Sequence, residues 1–223
     1  MTFNAKTATG GQGGAAQETV AIGNYPARLV QLVDLGLQAQ MAWEGEPKPP
    51  IEMVRTVYEL PTEFCVDSDG NEDKEKPRWL GEEMNFYNLN AERAKSTLRY
   101  RALDPTEDCE GDWSQLIGQA CTLTVVHKPN KKKPGHFYAN IGSTAPPMKG
   151  FDVPPLVNPT LVWTLDDPDM EVFEKFPDFM KEKIKANLNF KGSLLEARLN
   201  GTEEADAPTE TQGGEDAGEN PYG

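Results

Sequence analysis

Between residues 25 and 144 the chain reads as three extended segments, one helical segment and two further extended segments. Few folds accept that order. Residues 25–38 alternate apolar and polar side chains, with Leu29, Gln31, Val33 and Leu35 on one face and Val30, Leu32 and Asp34 on the other. Leu and Val fall on both faces at first, which predicts a long, bent first strand with Gly36 at a bend or bulge. The Gly-Glu-Pro-Lys-Pro-Pro run at 45–50 cannot continue a sheet and reads as a loop. Residues 51–60 are rich in β-branched and aromatic residues and form the second strand. Residues 78–89, with Trp79, Met84, Phe86 and Leu89, hold the third. In residues 90–103 Ala91, Ala94, Leu98 and Ala102 recur at helical spacing, with Asn90 as the expected cap and Asp104-Pro105 as the stop. Residues 119–127 and 136–144 supply the last two strands.

That is the element order of the OB-fold, a five-stranded barrel with a helix between its third and fourth strands, so the expected class is mainly β (α+β). After residue 155 the character changes. Residues 156–165 add a strand, and 169–176 and 178–188 read as short helices with Phe173, Phe176, Phe179, Met180, Ile184 and Leu188 as packing residues. The expected organisation is a disordered leader (1–20), a barrel (21–155), a strand and helix appendage packed on it (156–200) and a disordered acidic tail (201–223). The roughly 180 residues between the two ends suit a single domain.

Charge is distributed unevenly along this frame. The chain carries 36 Asp and Glu against 22 Lys and Arg. Yet no acidic residue lies between Trp113 and Phe151, where Lys128, Lys131, Lys132, Lys133 and Lys149 fall. Four of these lysines sit in the loop between the fourth and fifth strands, beside His136, Phe137 and Tyr138. Loops one to two and four to five flank the ligand groove of an OB-fold, and Lys48 falls in the first of them. Cations for phosphates and ring faces for bases are the two ingredients of single-stranded nucleic acid binding. The same Pro-Asn-Lys and Pro-Gly residues also suit a solvated hairpin tip.

Other chemistries find little support. The cysteines, Cys65, Cys109 and Cys121, are odd in number and not in CxxC spacing, which points away from disulfides and from zinc. The Asp-rich run at 67–75 places Arg78 where a calcium loop needs its bidentate Glu, so it reads as a turn. No Gly-rich phosphate loop, GxSxG or HExxH is present, and the chain has two histidines, so no enzyme, cofactor or metal is expected. No apolar run reaches membrane-spanning length, and the N-terminus lacks the pattern of a signal peptide.

Several phrases carry a family resemblance. These are Tyr25-Pro-Ala-Arg-Leu-Val-Gln-Leu-Val-Asp-Leu-Gly-Leu-Gln, Lys48-Pro-Pro-Ile-Glu-Met-Val-Arg-Thr-Val-Tyr-Glu-Leu-Pro, Ala102-Leu-Asp-Pro, Gly111-Asp-Trp and Leu188-Asn-Phe-Lys-Gly-Ser. Over residues 22–195 the chain resembles tailed-bacteriophage single-stranded DNA-binding proteins of the OB-fold type. The resemblance implies a non-enzymatic protein of DNA replication or recombination that coats exposed single strands in the cytoplasm of the infected bacterial host. On that reading Lys48 and the hairpin lysines neutralise phosphates, His136 sits beside them, and Tyr58, Trp79, Phe86, Phe137 and Tyr138 are the stacking candidates. Strand alternation places Phe137 and Tyr138 on opposite sides, which predicts one on the groove and one in the core. The tail resembles the acidic C-termini of such proteins, with Glu215, Asp216, Glu219 and Tyr222 as the docking candidates for replication or recombination partners. It lacks their Asp-Phe dipeptide and ends on Gly223. A phage structural or scaffolding protein with an acidic surface, or a metal-dependent nuclease, are the alternatives.

Overall fold

The structure, a computed structural model, describes residues 18–202 except Trp43 and Ser68. Its strands are β1 (Gly23–Gln38), β2 (Ile51–Val66), β3 (Glu72–Asn85), β4 (Ala120–Pro129), β5 (Phe137–Ala145) and β6 (Leu161–Trp163). Four α-helices accompany them: α1 (Lys95–Leu103), α2 (Met170–Lys175), α3 (Asp178–Lys185) and α4 (Leu194–Asn200). The expected leader ends sooner than its composition suggests, because Val20 is already buried in the core.

The strands follow the order β3-β2-β1-β4-β5, all antiparallel, and curl into a half-barrel. β1 makes the curl possible. Gly23–Arg28 pair with β4, whereas Arg28–Gln38 pair with β2. Two register shifts bend β1 on the way, one between Asp34 and Gly36. Gly36 has φ +71°, and a Cβ there would lie 2.7 Å from Leu165 and 2.8 Å from Asn187. Glycine alone meets both demands.

Where β4 leaves β1, the short β6 takes its place in parallel, pairing Gln31–Val33 with Leu161–Trp163. The two faces of β1 therefore serve two cores. Leu29 and Leu32 pack inside the curl with Tyr58, Leu60, Leu123 and Val125, closed off by Tyr100 of α1 and by Trp113. Val33 and Leu35 pack outside it against Trp163, Phe173, Phe176, Ile184 and Leu195. Burial on both sides explains why apolar residues appear on both faces of the first strand.

Three local expectations need correction. Helix α1 starts at Lys95, four residues after Ala91, with Ala94 in the cap position and no side-chain cap. The Asn90 amide instead donates to the Asn88 side chain, a turn-forming bond that competes with helix entry. The third strand starts at Glu72, so only residues 67–71 of the Asp-rich run form a turn, organised by Asp67 Oδ1 accepting from the amides of Asp69 and Asn71. Helix α4 was missed, although Ser193 and Glu196 carry the capping-box pattern: Ser193 Oγ accepts from Glu196 N, and Glu196 Oε2 accepts from Gly192 N.

Candidate nucleic-acid interface

The basic loop is the tip of the β4–β5 hairpin, and its shape follows from its sequence. Asn130 Oδ1 accepts from the amides of Lys132 (2.9 Å) and Lys133 (3.2 Å), and Lys133 N donates to Asn130 O. This side-chain bond mimics a backbone turn, which is why Asn suits the position. A second turn follows at once. His136 N donates to Lys133 O across Pro134 and Gly135, with Gly135 at φ +82°. Proline then a positive-φ glycine is the sequence a type II turn requires. Asn130 N donates to His136 O, and Asn130 Nδ2 donates to Tyr138 Oη at 2.6 Å. Asn130, which directly follows β4, thus ties the tip to the start of β5.

Residues 131–138 are all exposed, so the hairpin projects past the barrel core. Lys128 lies directly opposite Tyr138, and Pro129 opposite Phe137. Alternation puts Phe137 on the side of Ala139 and Ile141, and Tyr138 on the other side with Asn140. Phe137 stacks against His127 with ring centroids 6.1 Å apart and planes 23° apart. His127 Nε2 is 2.8 Å from Val20 O, and Thr19 Oγ1 donates to Phe137 O. The N-terminal segment therefore braces the base of the hairpin.

The two rings correct the sequence expectation. Phe137 is 51% exposed and Tyr138 57%, so neither belongs to the core. Alternation does separate them, but the inner side has run out of partners at this height of the strand. On the outer side, Thr124 Oγ1 donates to Asn24 Oδ1 and Ser143 Oγ donates to Thr124 Oγ1. The surface leading away from Tyr138 and Lys128 is thus polar and carries no carboxylate on either strand.

The remaining sequence candidates lie elsewhere. Tyr58 is wholly buried in the half-barrel and has no ring face to offer a base. Burial pushes its phenol far above the ordinary range. Phe86 is half-buried against Trp113 at 5.6 Å, which makes it a packing residue. Trp79 is 41% exposed on β3, with its indole N–H bonded to Glu59 Oε2 at 3.1 Å. Lys48 is exposed in the β1–β2 loop, which leaves the opposite end of β1 from the hairpin and also carries Glu44 and Glu46. The hairpin thus gathers Lys128, Lys131, Lys132, Lys133, His136, Phe137 and Tyr138, while Lys48, Tyr58, Trp79 and Phe86 stand apart. Glu215, Asp216, Glu219 and Tyr222 lie outside the described residues.

Two clasps that sequence reasoning missed hold the segment after β5 across the outer face of β1 and β2. Arg28 donates to the carbonyls of Pro154 (2.7 Å), Val153 (2.8 Å) and Gly118 (2.7 Å). The fully buried Glu59 carboxylate accepts from Val157 N (2.7 Å), Asn158 N (3.2 Å), Asn158 Nδ2 (2.6 Å) and Trp79 Nε1. Neither residue carries a pattern that would betray a partner some hundred positions away.

No group of three or more His, Cys, Asp or Glu among the described residues is arranged to hold a metal ion. Cys109 and Cys121 are buried free thiols, and burial pushes Cys121 up to about 12. No described helix is long and apolar enough to cross a membrane. No protein-family model, curated protein or solved structure matches the chain.

Proposed function

We propose that the protein binds single-stranded DNA without sequence preference and that the β4–β5 hairpin is its principal contact. The observation that carries this reading is the hairpin itself. Its three tip lysines and Lys128 stand beside two exposed rings, inside a stretch free of carboxylates, on a chain whose formal net charge is −14. The lysines neutralise phosphates and a ring takes the face of a base, a combination that tolerates every sequence because every base has a π-face. The Asn130 bonds fix the tip in advance, so little ordering cost falls on binding.

The architecture supports an OB-type barrel in this role. The strand order β3-β2-β1-β4-β5, with α1 between β3 and β4 and with β3 and β5 approaching each other, is compatible with an OB-like fold. Its loop between strands four and five is one of the two that flank the ligand groove, and here it is the lysine hairpin. The strand 2–3 face differs from the usual groove, because Val157 and Asn158 bond Glu59 of β2, while Phe179 and Lys183 of α3 contact Arg55 of β2 and Glu83 of β3. The hairpin is left as the open part. A role in coating DNA during phage replication or recombination, with partners docking on the acidic tail, follows from the sequence resemblance and belongs to the same proposal.

Labelled mixed-sequence oligonucleotides test it, first for binding and then for cleavage with magnesium. Binding of the single strand without cleavage is the expected result. Cleavage would favour a nuclease, and no binding of any nucleic acid would favour a structural role.

A further inference from the structure

We propose that the hairpin is a wedge for the junction between single- and double-stranded DNA, with one strand passing along each of its faces. This rests on the single-strand reading above and names the DNA structure that the same site prefers. The observation behind it is that the hairpin offers two stacking surfaces instead of one. Phe137 faces one side, braced by the His127 ring, and Tyr138 faces the other, opposite Lys128 and anchored by Asn130. Both rings are about half exposed. A single strand laid on one face reaches only that ring and leaves the other without a use.

A fork uses both. Its two strands diverge from the last base pair, and a ribbon inserted there meets one base on each side. The charge also fits. A duplex carries one phosphate per ~1.7 Å of axis, twice the density of either strand alone, and that density is met first at the tip, where Lys131, Lys132 and Lys133 are adjacent. A wedge must be stiff to separate stacked bases. The two consecutive turns and the Asn130 bonds to Lys132, Lys133, His136 and Tyr138 supply that stiffness. Opening the terminal pair is the least costly opening in a duplex, since one stacking neighbour is already missing.

The test compares three labelled DNAs at one salt concentration: a single strand, a blunt duplex, and a fork whose two non-complementary arms each match the single strand in length. A 2-aminopurine sits at the first pair of the fork. The fork should bind about 5- to 150-fold tighter than the single strand, the worth of one additional stacked base, and should exceed the blunt duplex. The 2-aminopurine should brighten on binding. Phe137→Ala and Tyr138→Ala should each weaken the fork complex, whereas only one of them should weaken the single-strand complex; the other should remove the fork's advantage. Both residues are exposed, so melting temperatures should confirm that both variants fold. A fork bound no tighter than the single strand or the blunt duplex, or a fork affinity unchanged by either substitution, overturns the wedge and leaves single-strand binding standing. Failure to bind all three DNAs overturns both.

Discussion

Tyr58 on β2 and Tyr138 on β5 are the same residue type in one sheet, and the fold gives them opposite work. Tyr58 is wholly buried among Leu29, Leu60 and Leu123, while Tyr138 stands on a hairpin that has outrun the core. Tyr58→Ala should therefore cost about 3–5 kcal/mol of stability through the cavity it leaves. Phe137→Ala and Tyr138→Ala should leave the melting temperature unchanged, while one of them costs ~1–3 kcal/mol of single-strand binding on mixed sequences alike. Thermal melts and fluorescence anisotropy on the three variants check both halves. The sequence shows that these residues are aromatic and that 137 and 138 face opposite ways. It does not show where along β5 the core ends, because that depends on what packs against the strand from elsewhere.

Asp104 supplies a pH test at the same scale. Its side chain is buried, and burial alone would raise its pKa, but bonds from Cys109 N, Asp108 N and Tyr100 Oη outweigh that and hold it below the ordinary value. A carboxylate depressed in the folded state contributes stability that is complete above its unfolded pKa, about 3.9, and is lost as pH falls through the folded value. Asp104→Asn should be less stable than the parent at neutral pH, and the gap should narrow below about pH 4. A gap that stays constant down to pH 2 would show that the charge on Asp104 contributes nothing.

At the scale of elements, the strands were the legible part. Gly36 marked its bulge and the two β-branched runs marked β2 and β4; a helix does fall between β3 and β4, but Ala91 and Ala94 precede it and Leu98 lies on its exposed side. What escaped was long-range: the parallel pairing of β6 on β1, and the clasps by Arg28 and Glu59. Local periodicity carries no information about a carboxylate on β2 bonded to backbone amides 98 and 99 residues later. Glu59→Gln is the direct probe. Three of its four donors converge on Oε2 and one on Oε1, so an amide must turn its NH₂ toward a donor. The expected cost is about 1–3 kcal/mol, with faster hydrogen exchange at Val157 and Asn158. Unaltered exchange at those two amides would mean that Arg28 and apolar packing hold the segment unaided.

The chain as a whole is acidic, with a formal net charge of −14, while the β4–β5 hairpin is basic. Residues 203–223 hold seven carboxylates and no Lys or Arg. By charge alone that segment competes with DNA for the hairpin. A chain ending at Thr202 should bind single strands more tightly at low salt, and the gain should fade as salt rises. Equal affinity with and without the segment at every salt concentration would remove the competition.

The most direct test of the account is the salt dependence of single-strand binding in the parent and in the Lys131→Ala/Lys132→Ala/Lys133→Ala triple variant. Each phosphate contact on a single strand contributes a slope of about −0.7 to log K against log salt. The parent should bind mixed sequences with a steep negative slope, and the triple variant should bind more weakly with a slope shallower by about 2. A parent that binds no single strand, or a triple variant with the parent's slope, would contradict the claim that this hairpin holds DNA.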